Sequence, residues 1–427
     1  MVAIISFASL PVSPEDFRAR ALHWAAQFRY CAYFDPNDLA YPEGPFDRML
    51  GVANAADDAP TSLAELRPWL QQPPASGPRF GILTYELKNE IEALHSRHFS
   101  GLQWPALHFF TPQTWLCWRL DTVEIHGETA GVLAAILATE PPVPAAPRVA
   151  AMHPRLPKAD YLTTVEAIRE DILNGEVYEL NLCMEFYAEA VALDPAATFR
   201  RLNEASPMPF AGFYKWEDYY LLCASPERFL AHYYPSIISQ PIKGTVRRGA
   251  TPAEDEQQRQ QLLHDEKERA ENLMIVDLVR NDLARVAKTG SVQVPELFGL
   301  YPFRNVWQMI STVEAELRPD VDVVDVLRAT FPMGSMTGAP KVRAMQLIEH
   351  YERTRRGLYS GSLGYVWPDG EFEFNVVIRS LQYNAATGYL SFQVGSAITY
   401  DSVPEREYEE CLLKAKAILE VLGSVVS

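Results

Sequence analysis

The stretch from residue 241 to residue 282 constrains this chain most. It opens Pro241-Ile242-Lys243-Gly244-Thr245 and passes a basic, glycine-punctuated turn, Arg247-Arg248-Gly249. After an acidic, glutamine-rich run it reads Asp265-Glu266-Lys267-Glu268-Arg269-Ala270-Glu271-Asn272 into Leu273-Met274-Ile275-Val276. Leu273, Val276 and Leu283 recur at helical spacing and no Gly or Pro intervenes before Gly290, so the second half is a helix. Glu268 and Glu271, three apart, share one face of it. Ahead of it, residues 237–242 read as a strand that delivers Lys243 at its end, where scaffolds often place chemistry. Charged pairs at this spacing ordinarily decorate a solvated face, and a lone lysine is ordinarily exposed or ion-paired. A second carboxylate pair near the C-terminus shifts that balance.

With 427 residues, 48% of them hydrophobic, the chain can bury a substantial core, as two or three domain-sized units or one large composite body. A net charge of −17 argues against nucleic acid and anionic membrane surfaces as partners. It leaves room for an anionic small molecule held by local cations or a metal. Cys31, Cys117, Cys183, Cys223 and Cys411 are scattered, odd in number and without a C-x-x-C pair. That pattern fits reduced thiols in a cytoplasmic protein, not a disulfide framework or a zinc site. Residues 1–10 lack a basic leader and read as a strand. Apolar runs such as 131–138 are far too short to span a bilayer.

Residues 1–140 read as a mixed α/β region, with a helix over 14–30 capped by Ser13, a strand over 79–86 and strand character over 115–125. Six prolines between 141 and 157 mark a linker. The remainder, 158–427, forms the second unit. It holds a helix over 160–174 closed by Gly175, strand-like residues 177–190, and a strand over 219–225 ended by Pro226-Glu227-Arg228. Gly334-Ser335-Met336-Thr337-Gly338 precedes a helix starting near Pro340, whose free amides would suit an anion or simply an ordinary cap. Residues 357–400 read as a β-meander. Its second strand, 371–383, puts Phe372, Phe374, Val376 and Ile378 on one face and Arg379 on the other. That arginine would clamp a carboxylate or lie exposed. Ser402 and Glu405 fit a capping box opening the last helix. On it, Glu407 and Glu410 repeat the spacing of Glu268 and Glu271. Two helices each presenting two carboxylates would suit a hard divalent cation such as Mg²⁺.

Residues 158–422 resemble the chorismate-binding domain shared by anthranilate, aminodeoxychorismate, isochorismate and salicylate synthases. The resemblance rests on Ser225-Pro226-Glu227-Arg228-Phe229, residues 241–245 and 268–282, the 334–341 loop, residues 359–365, Val377-Ile378-Arg379 and residues 401–416. It implies the α+β fold of anthranilate synthase component I, with packed β-sheets, helices outside and the active site between. It also implies chorismate as substrate. The lysine of Pro-Ile-Lys-Gly-Thr resembles the aminodeoxychorismate-forming branch, where anthranilate synthases typically carry alanine. By that resemblance Glu227 is the general acid for the C4 hydroxyl and Lys243 the amine that adds at C2. Glu271 and Glu410, backed by Glu268 and Glu407, hold Mg²⁺. Gly244, Thr245, Ser335, Tyr359, Arg379, Gly395 and Ala397 contact substrate, as does Gln308, which stands where the family usually has histidine.

Three departures accompany the match. Gln308 cannot act as an acid or base near neutral pH. Gly395-Ser396-Ala397 replaces a usual Gly-x-Gly. Glu179 replaces a common glutamine, at the position where isochorismate and salicylate synthases carry a catalytic lysine. The tryptophan-binding segment of some relatives is not recognisable, so no tryptophan feedback is expected. Nor is a glutaminase Cys and His pattern recognisable, so ammonia is expected from a separate glutamine amidotransferase subunit. Anthranilate formation, or chorismate binding without catalysis, remain the alternatives.

Overall fold

The computed structural model describes residues 2–56, 58–72, 77–142, 147 and 149–426. Among these residues two sheets carry the architecture. The larger, twelve-stranded sheet runs Val2–Ser6, Thr122–Gly127, Thr114–Trp118, Met49–Ala53, Tyr30–Asp35, Phe210–Trp216, Tyr219–Ser225, Ser380–Asn384, Tyr389–Ile398, Glu179–Ala188 and Gly338–Ala339, with His153–Pro154 also on Glu179–Ala188. The smaller, nine-stranded sheet runs Ile242–Arg247, Val306–Glu316, Ser236–Gln240, Arg228–Tyr233, Phe372–Asn375, Ser362–Val366, Arg79–Leu83 and Leu107–Phe110. Gln293–Pro302 flanks Val306–Glu316 on its other side.

Phe34, Phe80, Ile82, Tyr214, Leu221, Leu363 and Tyr365, drawn from both sheets, pack together in the core between them. Helices cover the outer faces. Pro14–Ala25, Lys158–Leu173, Pro195–Ala205 and Pro404–Leu422 bury Leu22, Ile168, Leu202 and Ile418 in the larger sheet's outer core. Glu266–Ala284 and Val323–Thr330 bury Ile275, Leu283 and Leu327 against the smaller sheet. The chain is therefore the α+β body expected. Strand Tyr30–Asp35 shows why its sequence lacks a polar alternation. Cys31 and Tyr33 face the helix-covered core, while Ala32 and Phe34 face the space between the sheets.

Residues before 141 and after 158 share both sheets: Tyr30–Asp35 pairs with Phe210–Trp216, and Arg79–Leu83 with Ser362–Val366. Of the proline-rich stretch, residues 143–146 and 148 lie outside the described residues, while Val149, Met152 and Leu156 are buried. Ser13 caps the first helix as expected, its side chain accepting from Asp16 N–H, but that helix ends at Ala25 and Tyr30 already opens a strand. Residues 115–125 form two strands, because the chain reverses where Arg119 N–H donates to Thr122 O. Ser402 is not a cap: its hydroxyl accepts from Thr399 N–H, and the last helix starts at Pro404 after Val403. Among the described residues no helix is long and apolar enough to cross a membrane.

Two further differences matter for function. Residues 237–242 are not one strand. Pro241, with no N–H to donate, separates Ser236–Gln240 from Ile242–Arg247, and both pair with Val306–Glu316. Lys243 thus stands inside the second strand, not at the end of the first. Residues 371–383 are not one strand either. Phe372–Asn375 belongs to the smaller sheet and Ser380–Asn384 to the larger, and residues 376–379 carry the chain across.

Candidate active site

The chain crosses between the sheets at two adjacent places. Tyr219–Ser225 lies in the larger sheet and Arg228–Tyr233 in the smaller, so Pro226 and Glu227 form one crossing. Residues 376–379 form the other. The crossings are bonded together, with Val376 N–H donating to Glu227 O at 3.0 Å and Ala224 N–H to Arg379 O at 3.3 Å. Arg379 takes a left-handed backbone, φ 52°, to make the turn. Its guanidinium is driven inward by that turn, not by strand alternation. Burial lowers it to about 10, with the Glu227 carboxylate pulling the other way. Its Nη1 meets Met208 Sδ at 3.7 Å, a weak acceptor that leaves the guanidinium able to take an anion.

Glu227 is 4% exposed. Burial pushes its carboxyl up to about 7, against the Ser335 hydroxyl, the Ile242 N–H and the charges of Lys243 and Arg379. A carboxyl raised this far can hold a proton near neutral pH and still give it up, which is what a general acid requires. Arg228, next in sequence, points away into a buried ion pair with Glu373 at 2.6 Å and fixes the strand behind it.

Lys243 reaches across from the smaller sheet to the larger. Its Nζ donates to Glu179 Oε1 at 2.8 Å, with the lysine side chain 11% and the glutamate 1% exposed. Burial pushes the amine down, but the charges of Glu179 and Glu271 outweigh it and hold Lys243 above its ordinary value. Lys243 therefore rests as an ammonium, because its acidic neighbours outweigh the burial that alone would favour the neutral amine. The lysine strand is anchored by Asn272 Nδ2, which donates to Lys243 O at 3.4 Å and whose Oδ1 accepts from Ser311 Oγ at 2.6 Å. Gly244 follows with φ +94°, and a Cβ there would meet Glu268 Oε2 at 3.3 Å. That close approach sets the glutamate-bearing helix against the lysine strand.

Glu271 of helix Glu266–Ala284 and Glu407 of helix Pro404–Leu422 both approach Lys267. Its Nζ lies 3.6 Å from Glu271 Oε1 and 3.9 Å from Glu407 Oε1. Burial lifts Glu271 to about 7, Lys243 and Lys267 pulling it down, and its Oε1 accepts no hydrogen bond among the described residues. Burial and the Glu410 charge raise Glu268. Partial desolvation lifts Glu410, but Lys414, at 2.7 Å, outweighs it and keeps it low. All four oxygen donors are hard, one oxygen lacks a hydrogen bond, and an ammonium now supplies the positive charge. The donor set thus fits a divalent cation chemically. It is not pre-gathered: among the described residues no three His, Cys, Asp or Glu are grouped to hold a metal ion.

The remaining expected contacts divide. Gly395 and Ala397 lie on Tyr389–Ile398 opposite Cys183 and Asn181, and a Cβ on Gly395 would meet Cys183 Sγ at 2.6 Å. Lys414 Nζ donates to Gly395 O at 2.8 Å, tying this strand to the helix that carries Glu407 and Glu410. Ser335 and Tyr359 are buried, while Thr245 is exposed. Gln308 is 1% exposed, pairs in the sheet with Thr245, and keeps an unbonded Oε1 among the described residues. Sequence reading missed Lys267 and Lys414, both legible as i,i+4 partners of Glu271 and Glu410. It also missed Arg356, whose local sign is Glu352 four residues before it. This buried arginine donates to Asn181 O at 2.8 Å, Met336 O at 2.6 Å and Glu352, joining the strand of Glu179 to the loop of Ser335.

Residues 37–420 match the family described as chorismate binding enzyme. The chain belongs to that family. Within it the chain is 40% identical over 259 residues to aminodeoxychorismate synthase component 1 of Bacillus subtilis (strain 168), covering 60% of this chain and 54% of that one. It is also 40% identical over 265 residues to anthranilate synthase component 1 of Aquifex aeolicus (strain VF5), covering 62% and 53%. The match thus spans about half the length of each of these relatives. The crystal structure of anthranilate synthase component I from Streptococcus pneumoniae TIGR4 superposes with a TM-score of 0.73 at 25% identity, covering 97% of this chain and 91% of that one. A superposition over nearly the whole chain means that this chorismate-binding family member shares the overall fold of that structure.

Proposed function

We propose that this chain converts chorismate and ammonia to 4-amino-4-deoxychorismate, the entry to p-aminobenzoate and folate. The observation that carries the reading is the largely buried Lys243 amine beside a carboxylate, close enough to Glu227 for their charges to interact. The C4 hydroxyl of chorismate is a poor leaving group until protonated. Glu227, held near neutrality by burial, gives it a proton as the C4–O bond breaks. The Lys243 amine adds at C2, the ring double bonds shift, and water departs. Ammonia then adds at C4, the double bonds shift back, and the lysine leaves. Arg379 and Tyr359 orient the enolpyruvyl carboxylate, with the Gly395–Ala397 backbone beside them, and Gly244, Thr245, Ser335 and Gln308 complete the contacts. Glu271 and Glu410, with Glu268 and Glu407 behind them, would hold Mg²⁺, which supplies a fixed positive charge for the ring carboxylate. Lys267 must then yield its place among them.

Ammonia comes, in this reading, from glutamine through a partner amidotransferase. The enzyme works in the cytoplasm, in keeping with five buried, unpaired cysteines. The similarity to the Aquifex protein favours a second reading, anthranilate formation, in which Lys243 has no role as nucleophile. The deciding experiment incubates the protein with chorismate, Mg²⁺ and ammonium beside Lys243→Ala, and resolves products by chromatography and mass spectrometry. Aminodeoxychorismate from the native protein, lost in the variant, is the expected result. Fluorescent anthranilate would overturn the reading.

A further inference from the structure

We infer that Glu179 is the base that takes the Lys243 proton before the lysine attacks and returns it when the lysine leaves. The inference rests on the chorismate-aminating reading above and adds a residue to it. Lys243 Nζ has one hydrogen-bond partner among the described residues, Glu179 Oε1 at 2.8 Å. Glu179 is 1% exposed, and its Oε2 is buried with no hydrogen-bond partner among the described residues. A buried carboxylate oxygen with no protein partner is costly to the fold, which points to a functional reason for keeping it. A glutamine would satisfy the lysine N–H equally well through its amide oxygen, but it cannot hold a proton. The carboxylate therefore offers what the hydrogen bond alone does not need.

The placement makes the transfer local. Glu179 opens the strand Glu179–Ala188 of the larger sheet, where it pairs with Ala339, and Lys243 comes from the smaller sheet. With Nζ already donating to Glu179 Oε1 at 2.8 Å, the proton crosses one hydrogen bond and needs no water relay. The ammonium passes one proton to Glu179, leaving a lone pair on Nζ that forms the bond to C2. The C4–O electrons leave as water with the proton of Glu227. When ammonia forms the C4–N bond, the C2–Nζ bond breaks, its electrons return to nitrogen, and Glu179 gives its proton back. The new C4 ammonium gives one proton to Glu227, which restores the acid, so atoms and charge balance with no further reactant.

The test reads the first half of the reaction. Protein, chorismate and Mg²⁺ without ammonium are quenched in acid, and the Lys243 peptide is weighed for a gain of chorismate less water. Glu179→Gln keeps the shape and the hydrogen bond, and is expected to slow adduct formation at least tenfold. Glu179→Ala is expected to be slow and to be restored by formate but not by formamide, which fills the same space without accepting a proton. A native adduct rate in Glu179→Gln, or equal rescue by formamide, overturns the role of Glu179 while leaving the aminating reading intact. Native protein that yields anthranilate and no Lys243 adduct overturns both.

Discussion

Glu227→Gln removes the proposed acid and, with it, a stability penalty that grows with pH. Glu227 is 4% exposed and its carboxyl sits at about 7, against an ordinary 4.5. The folded state therefore holds this proton more tightly than the unfolded state does. The stability contributed by that tighter hold is fully present below about 4.5 and is lost as pH rises through about 7. Across that window, at about 1.36 kcal/mol per pH unit, the loss amounts to about 3 kcal/mol. Glutamine has no proton to lose. The difference between variant and native protein should thus be smallest near pH 4.5 and should move in favour of the variant by about 3 kcal/mol by pH 8. Any fixed cost of fitting an amide shifts the whole curve without changing its slope. Urea unfolding at pH 5, 6, 7 and 8, followed by tryptophan fluorescence, measures it as a widening gap between midpoints. Chorismate turnover should fall by about 10²–10⁴, the usual worth of a positioned acid. A gap that stays constant across this range would refute the reasoning, because the raised carboxyl is its only source of pH dependence.

Two further outcomes follow from the same geometry. Lys243→Met strands the buried Glu179 carboxylate without its cation and should cost about 3–5 kcal/mol, while adding Glu179→Gln to it should restore most of that loss in urea titrations. Glu271→Gln removes one proposed Mg²⁺ ligand, so half-maximal chorismate turnover should need at least about tenfold more Mg²⁺ than the native protein; an unchanged Mg²⁺ titration would exclude Glu271 as a ligand.

Much of the fold was legible because helices and short strands carry local signals. The Glu266–Ala284 helix announces itself by periodicity, and its glutamates and those of Pro404–Leu422, at three-residue spacing, point to shared faces. The strand Tyr219–Ser225 ends where Pro226 interrupts it. What local pattern could not reveal was a change of sheet within one run of alternating residues. Phe372, Phe374 and Val376 alternate as one strand should, yet Arg379 with its φ of 52° belongs to a crossing. No residue in Asn375-Val376-Val377-Ile378 breaks the pattern, because both sides of the crossing are buried in apolar cores. Lys243 was misplaced by one element for a related reason: Pro241 marks a break only when the partner strand is known to continue past it. Arg356 was missed because the nearby Glu352 and Ser360 suggest only a local ion pair and hydrogen bond, while Asn181 O and Met336 O are brought to it by the fold.

The two crossings explain why acid, arginine and lysine meet at all. A strand presents alternate residues to one face at fixed spacing, so a single sheet offers a flat row of side chains. Passing the chain between sheets twice, at neighbouring points, points Glu227 and Arg379 inward from the seam instead. Lys243 then needs only to extend from the edge of one sheet to Glu179 on the other. The cost is that the three proposed site side chains depend on the relative position of two sheets. Arg356 and Asn272 meet that demand with buried hydrogen bonds to Asn181 O, Met336 O and Lys243 O. A substitution at either should therefore disturb the Lys243 to Glu179 distance before it disturbs the sheets, because each holds backbone on one side of that pair and neither belongs to a strand.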